Sequence, residues 1–401
     1  MTQAFIVNGV RTAIGNFGGT LSTVRTDDLA AFVLKELMKK NQGVDFSAVG
    51  DVIMGCANQA GEDNRNVARM ASLLAGMPIS VPGQTVNRLC ASGLSAAIDA
   101  ARAIQVGDEA LMVAGGVENM TRGPLVLSKS SAAFGRDQQL FDSSFGWRFI
   151  NPKMKELYGV DAMGETAENV AEKYQISRHD QDAFAFASQQ KAAKAKASGR
   201  FEKEIVPLEI PQKKGNTIVF DKDEFAKANT NMESLSQLKT AFRKDGTVTA
   251  GNASGLNDGA ASILLASEEG LKTHGLTPLA RIVSSAVVGV EPRIMGIGPV
   301  EASNKALFRA GLSIKDVDLI ELNEAFAAQS LACTRAWGLA DNDARVNING
   351  GAIALGHPLG MSGARILYSA ALDLSIHQKR YALVTMCIGV GQGYAVVIER
   401  C

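Results

Sequence analysis

Cysteine is scarce in this chain: five in 401 residues cannot build a disulfide framework, and a reducing compartment is expected. There is no Cys-x-x-Cys pair and no zinc-site spacing, so no metal centre is expected. Net charge is absent too, with 41 basic against 41 acidic residues. That balance argues against nucleic acid or an anionic membrane as partner and leaves only a local basic face to meet a phosphorylated ligand. No apolar stretch approaches the roughly 20 residues of a membrane span. The start, Met1-Thr2-Gln3-Ala4-Phe5-Ile6-Val7, reads as a first strand rather than a signal or transit peptide. A cytoplasmic, soluble protein is expected.

What is present is apolar and glycine-rich: 46% hydrophobic residues, 40 glycines and only 10 prolines, the composition of a folded chain. At this length two or three domains are expected. The ends of the chain carry one plan twice. Phe5 to Val10 and Ala280 to Ala286 are β-branched runs closed by turns, followed by helix-like segments, Asp27 to Lys40 and Val300 to Ala310. Pro299 sits where a first-turn proline is tolerated. Val49 to Cys56 and Val317 to Asn323 come next as strands. Gln84-Thr85-Val86-Asn87 then leads into Cys90 and a helix with Leu94, Ile98, Ala101 and Ile104 on one stripe. Val346-Asn347-Ile348-Asn349 leads in the same way into His357 and a helix from about Ser362, and the strands Ala110 to Gly115 and Ala382 to Met386 follow. The frame is α/β and duplicated. The polar, lysine-rich stretch 120–249 interrupts it, with helices over Ala167 to Tyr174 and Arg178 to Ser198, and is expected to cover a crevice between the halves. The strand Ile263 to Ala266 returns to the first half.

Three Gly-rich turns offer a reagent: Asn87-Arg88-Leu89-Cys90-Ala91-Ser92-Gly93, Gly356-His357-Pro358, and Cys387-Ile388-Gly389-Val390-Gly391. A buried cysteine is usually inert packing, and a lone histidine is usually surface or core, the class assigned to His179, His274 and His377. Placement in matching turns of a duplicated frame reverses both readings for Cys90, Cys387 and His357. Two thiols and an imidazole suit a reaction that makes and breaks thioesters while moving protons. The place of Cys90 at a helix start is expected to lower its pKa from about 8.5 through the helix dipole and free N–H groups. Cys56, Cys333 and Cys401 lie in no motif and are read as structural. Lys191, Lys194 and Lys196 are read as a solvated helix face.

These turns, with Gly115-Gly116-Val117-Glu118-Asn119-Met120, Asn252-Ala253-Ser254-Gly255-Leu256-Asn257-Asp258-Gly259 and Asn323-Glu324-Ala325-Phe326, resemble the thiolases over the whole chain. The resemblance implies two similar βαβαβ-type halves in a layered αβαβα arrangement. Residues 1–119 plus 250–271 would form the nucleophile half, 120–249 a loop domain over the CoA site, and 272–401 the half carrying His357 and Cys387.

It also implies an acyltransferase with CoA as co-substrate, no permanently bound cofactor and a homotetramer (a dimer of dimers). Cys90 would be the nucleophile, His357 its base and Cys387 the second acid–base. Asn323 would hold a water that joins His357 in one oxyanion site, while the backbone N–H groups of Cys90 and Gly389 form the other. Ser254 would contact the pantetheine arm of CoA.

The stretch from Gly146-Trp147-Arg148 to Asn169 is similar to family members that cleave the dicarboxylic 3-oxoadipyl-CoA to succinyl-CoA and acetyl-CoA in aromatic degradation. Ala162 stands before Met163-Gly164 where acetoacetyl-CoA enzymes usually carry histidine, and Met163 is assigned to the substrate side. A distal carboxylate calls for a cation. Arg148, Lys153 and Arg88 are the candidates for it, and Arg243 or Lys244 for the CoA phosphates. Acetyl-CoA C-acetyltransferase, a broad-chain 3-ketoacyl-CoA thiolase and, more remotely, a non-catalytic acyl-CoA or lipid-binding relative are the alternatives.

Overall fold

The computed structural model describes residues 2–212 and 215–401. In the first half, β1 (Phe5–Arg11) leads to α1 (Thr26–Lys40), β2 (Val52–Gly55), α2 (Val67–Leu74), β3 (Gly83–Val86), α3 (Ser92–Val106) and β4 (Leu111–Asn119). α1 carries Asp27 and Asp28 in its first turn and Lys39 and Lys40 in its last, matching the helix dipole at both ends. α3 stops at Gly107, whose φ of 86° is left-handed.

The interrupting segment contributes α4 (Met163–Lys173) and α5 (Arg178–Ala197). The second half then runs β5 (Asn257–Ala266), β6 (Ala280–Gly289), α6 (Gly298–Ala310), β7 (Leu319–Leu322), α7 (Ala327–Ala336), α8 (Leu359–Ile376), β8 (Tyr381–Ile388) and β9 (Gln392–Arg400), with β5 joining the first half. Among the described residues, no helix is long and apolar enough to cross a membrane.

These strands form one sheet in the order β7-β8-β9-β6-β1-β5-β4-β2-β3. Each half repeats the same order outward from the seam, where β1 and β6 pair antiparallel at Phe5–Arg281 and Ile6–Ala280. The repeat is incomplete at one end. Val346 to Asn349, read from the sequence as a strand, makes only an isolated bridge from Val346 to Ile320. Asn347 turns the chain away with a φ of 47° while bonding β7 through both its backbone and its side chain. The helix beyond His357 starts at Leu359 rather than near Ser362, with Pro358 as the extended residue that precedes its first turn.

Every residue of β4 and β5 is buried, as expected for central strands covered on both faces. α8 lies across β4, β5 and β8 and packs on α3. A Cβ on Gly93 would sit 2.5 Å from the Gly360 carbonyl oxygen, and one on Gly363 would sit 2.3 Å from the Leu94 nitrogen. The two helices therefore touch backbone to backbone.

A buried ion network fastens the interrupting segment to both halves. Arg11 of β1 bonds Glu204 at 2.7 Å and Asp223 at 2.7 Å, and Arg200 bonds Glu204 at 3.0 Å and Asp373 of α8 at 2.6 Å. Against the desolvation of burial, Arg11 and Arg200 pull Glu204 down to about 2. Lys191 departs from the solvated reading, since its Nζ donates to the Val346 carbonyl at 2.7 Å.

Gly93→Ala should force α3 and α8 apart, at a cost of about 1–3 kcal/mol in urea denaturation, with activity falling as well. Gly43→Ala, with nothing within 4 Å of the new methyl, should change stability by no more than about 0.5 kcal/mol.

Candidate active site

Strand β3 runs into the nucleophile turn, and Leu89 just before Cys90 takes a φ of 47°, a strained value for a branched side chain. Local bonds hold that turn. Leu89 N donates to Asn87 Oδ1 at 2.9 Å, Arg88 N donates to Ser92 Oγ at 2.9 Å, and Ser92 Oγ donates to the Leu89 carbonyl at 2.6 Å. Cys90 is left 7% exposed. Its own N–H and that of Gly389 point at the sulfur. The second-half turn thus reaches the first-half thiol. Gly389 leaves room for this: a Cβ there would meet Leu89 Cδ1 at 3.3 Å and Met163 Sδ at 3.8 Å.

The thiol differs from expectation in one respect. Burial pushes Cys90 up to about 11, outweighing the two N–H groups that favour the thiolate. The helix start is present, but α3 begins two residues beyond the cysteine, and the loss of water dominates. Cys387, buried at the end of β8 with Cys90 and Cys333 nearby, is pushed well above the ordinary thiol range.

His357 is buried in the turn before α8. Burial first, then the positive charge of Arg365, pulls its pKa down to about 3, so the imidazole is neutral. Its tautomer follows from the surrounding bonds. Ser362 Oγ lies 2.8 Å from the Pro358 carbonyl, to which it donates, and accepts from His357 Nδ1 at 2.6 Å. Nε2 then keeps its lone pair and accepts from Asn323 Nδ2 at 3.3 Å. Asn257 fixes the backbone by accepting from His357 N at 3.0 Å. It also fills the space a Cβ at Gly356 would need, where φ is 102°. Asn323 is wholly buried, and its Oδ1 has no partner among the described residues.

Several residues that hold this arrangement carry no sequence assignment above. Glu118 accepts from the backbone N–H groups of Ala57, Asn58 and Gly360, each at 2.9 Å, clamping the first half to the start of α8. Burial still raises it to about 7. An acid inside an otherwise apolar strand was the available signal. Glu324 accepts from Ser188, Asn347 and Ile353 N. Ser362 looked like an ordinary helix residue, since nothing in its spacing marks it as the partner of His357.

The remaining candidates lie at different depths. Ser254 is half-buried, and its N–H donates to the Ala325 carbonyl at 3.0 Å, beside the Asn323 turn. Met163 opens α4 at 38% exposure. Arg243 is engaged by Glu165 at 2.7 Å, Asn169 at 2.7 Å and Glu172 at 3.0 Å, which leaves Lys244 the more exposed of that pair. Arg88 donates to Ser95 Oγ and Gln392 Oε1.

Comparison with known proteins adds the lineage. Residues 4–269 match the model of the thiolase N-terminal domain, and residues 276–400 that of the thiolase C-terminal domain. The chain is 58% identical over 400 residues to the 3-oxoadipyl-CoA/3-oxo-5,6-dehydrosuberyl-CoA thiolase of Escherichia coli strain K12, covering 100% of both. It is 58% identical over 398 residues to a β-ketoadipyl-CoA thiolase of Pseudomonas aeruginosa, covering 99% of each. The crystal structure of the Bacillus anthracis acetyl-CoA acetyltransferase superposes with a TM-score of 0.92 at 43% identity, covering 100% of this chain and 99% of that one.

The neutral state of His357 can be checked by pH. A folded-state pKa near 3, below the free value of 6.5, means that unfolding takes up a proton between those values. Native stability contributed here is present above 6.5 and lost as pH falls towards 3. In His357→Asn that component should vanish. Urea denaturation from pH 7 to pH 4 should show the wild-type advantage shrinking by up to about 1.4 kcal/mol per pH unit. A pH-independent difference would contradict a buried neutral imidazole.

Proposed function

The chain belongs to the thiolase family of acyltransferases, and from that premise we propose that it cleaves 3-oxoadipyl-CoA with CoA to succinyl-CoA and acetyl-CoA. The observation that carries the chemistry is the meeting of the two halves at Cys90, with the Gly389 N–H on its sulfur and Cys387 alongside. The identity of 58% to the 3-oxoadipyl-CoA enzyme, against 48% to an acetyl-CoA acetyltransferase of Pseudomonas aeruginosa, supports the dicarboxylic substrate. So does Ala162 in place of histidine before Met163.

At rest both thiols are protonated and the imidazole is neutral. Asn323 Nδ2 releases Nε2 of His357, which takes the Cys90 proton as the sulfur attacks the 3-keto carbon, so thiolate and imidazolium need not precede bond formation. The resulting oxyanion lies against His357 and a water bonded to the free Oδ1 of Asn323. The C2–C3 bond then breaks, with the succinyl group left on Cys90. Cys387, protonated as an acid should be, delivers its proton to the enolate of acetyl-CoA. It next takes the thiol proton of incoming CoA, whose sulfur displaces Cys90 through a tetrahedral state facing the N–H groups of Cys90 and Gly389.

The segment 120–249 covers the thioester, and Ser254 meets the pantetheine arm. The protein works in the cytoplasm as a homotetramer, a reading supported by the hairpin of Leu125–Leu127 and Leu140–Asp142. That hairpin exposes Leu125, Leu127 and Leu140 by more than half, surface that a second copy would cover.

CoA-dependent thiolysis of 3-oxoadipyl-CoA should exceed that of acetoacetyl-CoA by at least about tenfold in kcat/KM, a difference of about 1.4 kcal/mol. Cys90→Ser should abolish both. A preference for acetoacetyl-CoA would keep the chemistry and overturn the substrate. Activity on neither would favour a binding protein.

A further inference from the structure

We propose that Arg148 receives the distal carboxylate of the substrate and so sets the preference for a dicarboxylic chain, an inference that rests on the 3-oxoadipyl-CoA reading above. That carboxylate lies three carbon–carbon bonds, each about 1.5 Å, beyond the carbon that Cys90 attacks. It therefore settles within about 5 Å of the reacting carbon, where a long side chain from a neighbouring segment can meet it. A carboxylate drawn from water needs a cation or several donors there, and a guanidinium offers a planar fork that matches it.

Most cations around the site are already committed. Arg122 is bound to Glu62, Arg243 to Glu165 and Glu172, and Arg293 to Asp161. Arg88 spends Nε on Ser95 and Nη1 on Gln392, with its guanidinium over the Tyr394 ring. Lys153 is exposed on the short helix Pro152–Tyr158, none of whose residues is buried. Arg148 is half-buried and makes one hydrogen bond, from Nη1 to the Ser143 carbonyl at 3.2 Å. Among the described residues no carboxylate pairs with it.

Hydrogen bonds tie the segment that carries it to the neighbourhood of the nucleophile turn and of Met163. At one end Ser143 accepts from Asn58 Nδ2 at 2.9 Å through its hydroxyl. Asn58 is a neighbour of Ala57, whose carbonyl bonds Asn87 in the nucleophile turn. At the other end Trp147 Nε1 donates to the Asp161 carbonyl at 3.2 Å, two residues before Met163, whose sulfur approaches Gly389. The strip 143–147 is thus tied at one end to Asn58, next to the residue that holds Asn87, and at the other to Asp161, two residues before Met163. Gly146 and Phe149, with φ of 77° and 50°, bend the chain on each side of Trp147 and Arg148. A left-handed phenylalanine is uncommon.

The test compares 3-oxoadipyl-CoA with 3-oxohexanoyl-CoA, which has the same length and a methyl terminus, on wild type, Arg148→Met and Arg148→Lys. The ratio of kcat/KM for the dicarboxylic over the neutral thioester should fall on the order of 100-fold in Arg148→Met, chiefly through KM, because the contact is remote from the reacting carbon. Arg148→Lys should restore part of it, since an ammonium keeps the charge but not the fork. In Arg148→Ala, added methylguanidinium should rescue the dicarboxylic substrate selectively. Equal losses on both thioesters, or an unchanged ratio in either neutral variant, would overturn the assignment of Arg148 while leaving the substrate in place. A wild type without preference for 3-oxoadipyl-CoA would instead overturn the substrate reading, and this proposal with it.

Discussion

The contact on which the site depends is the one between α3 and α8, two buried helices whose backbones touch at glycines. Gly93 and Gly360 face each other at a distance no Cβ could share, and Gly363 does the same with Leu94. Because the Cys90 turn precedes one helix and the His357 turn precedes the other, this approach draws the starts of the two helices together. Glu118 then locks the register by taking the N–H of Gly360 together with those of Ala57 and Asn58. A helix start has N–H groups with no intrahelical partner. Here one of them is met by a carboxylate from the opposite half.

Burial sets the state of Cys90, Cys387 and His357 as much as placement does. It raises both thiols and depresses the imidazole, so the resting site holds no net charge on its reagents. The surrounding scaffold is the opposite, with Arg11, Arg200, Glu204, Asp223 and Asp373 joined in one ion-pair network deep in the protein. Breaking one member would leave buried charge unpaired, which is far costlier than losing a surface pair. The network therefore holds the interrupting segment in one position over the halves.

Much of this was legible in the chain. Most strands and helices of the two halves and the turns carrying Cys90, His357 and Cys387 stand out by periodicity and by their glycines. The helices read over Ala167 to Tyr174 and Arg178 to Ser198 lie at Met163–Lys173 and Arg178–Ala197, whereas α2, α7 and β9 were not read from the sequence. Pro299 marked the start of α6. What was not legible depends on contacts distant in sequence. Ser362 is known as a partner of His357 only once α8 is seen to start at Leu359. Lys191 looks like any lysine on a polar helix until the Val346 carbonyl is found above it. The expected lowering of the Cys90 pKa failed for a related reason: a dipole can be read from a helix start, but the exclusion of water cannot. Val346 to Asn349 has strand composition, and the left-handed turn at Asn347 cuts it short.

That truncated strand has a consequence for how the sheet ends. At β7 the outer edge is closed, because Arg345 and Asn347 take up its backbone groups and the Asn347 amide completes the ladder with Leu322. At the other end β3 remains an open, half-exposed edge. A sheet with two open edges could add copies without limit and grow into a fibre. With one open edge, pairing between copies of the chain joins two molecules edge to edge and goes no further.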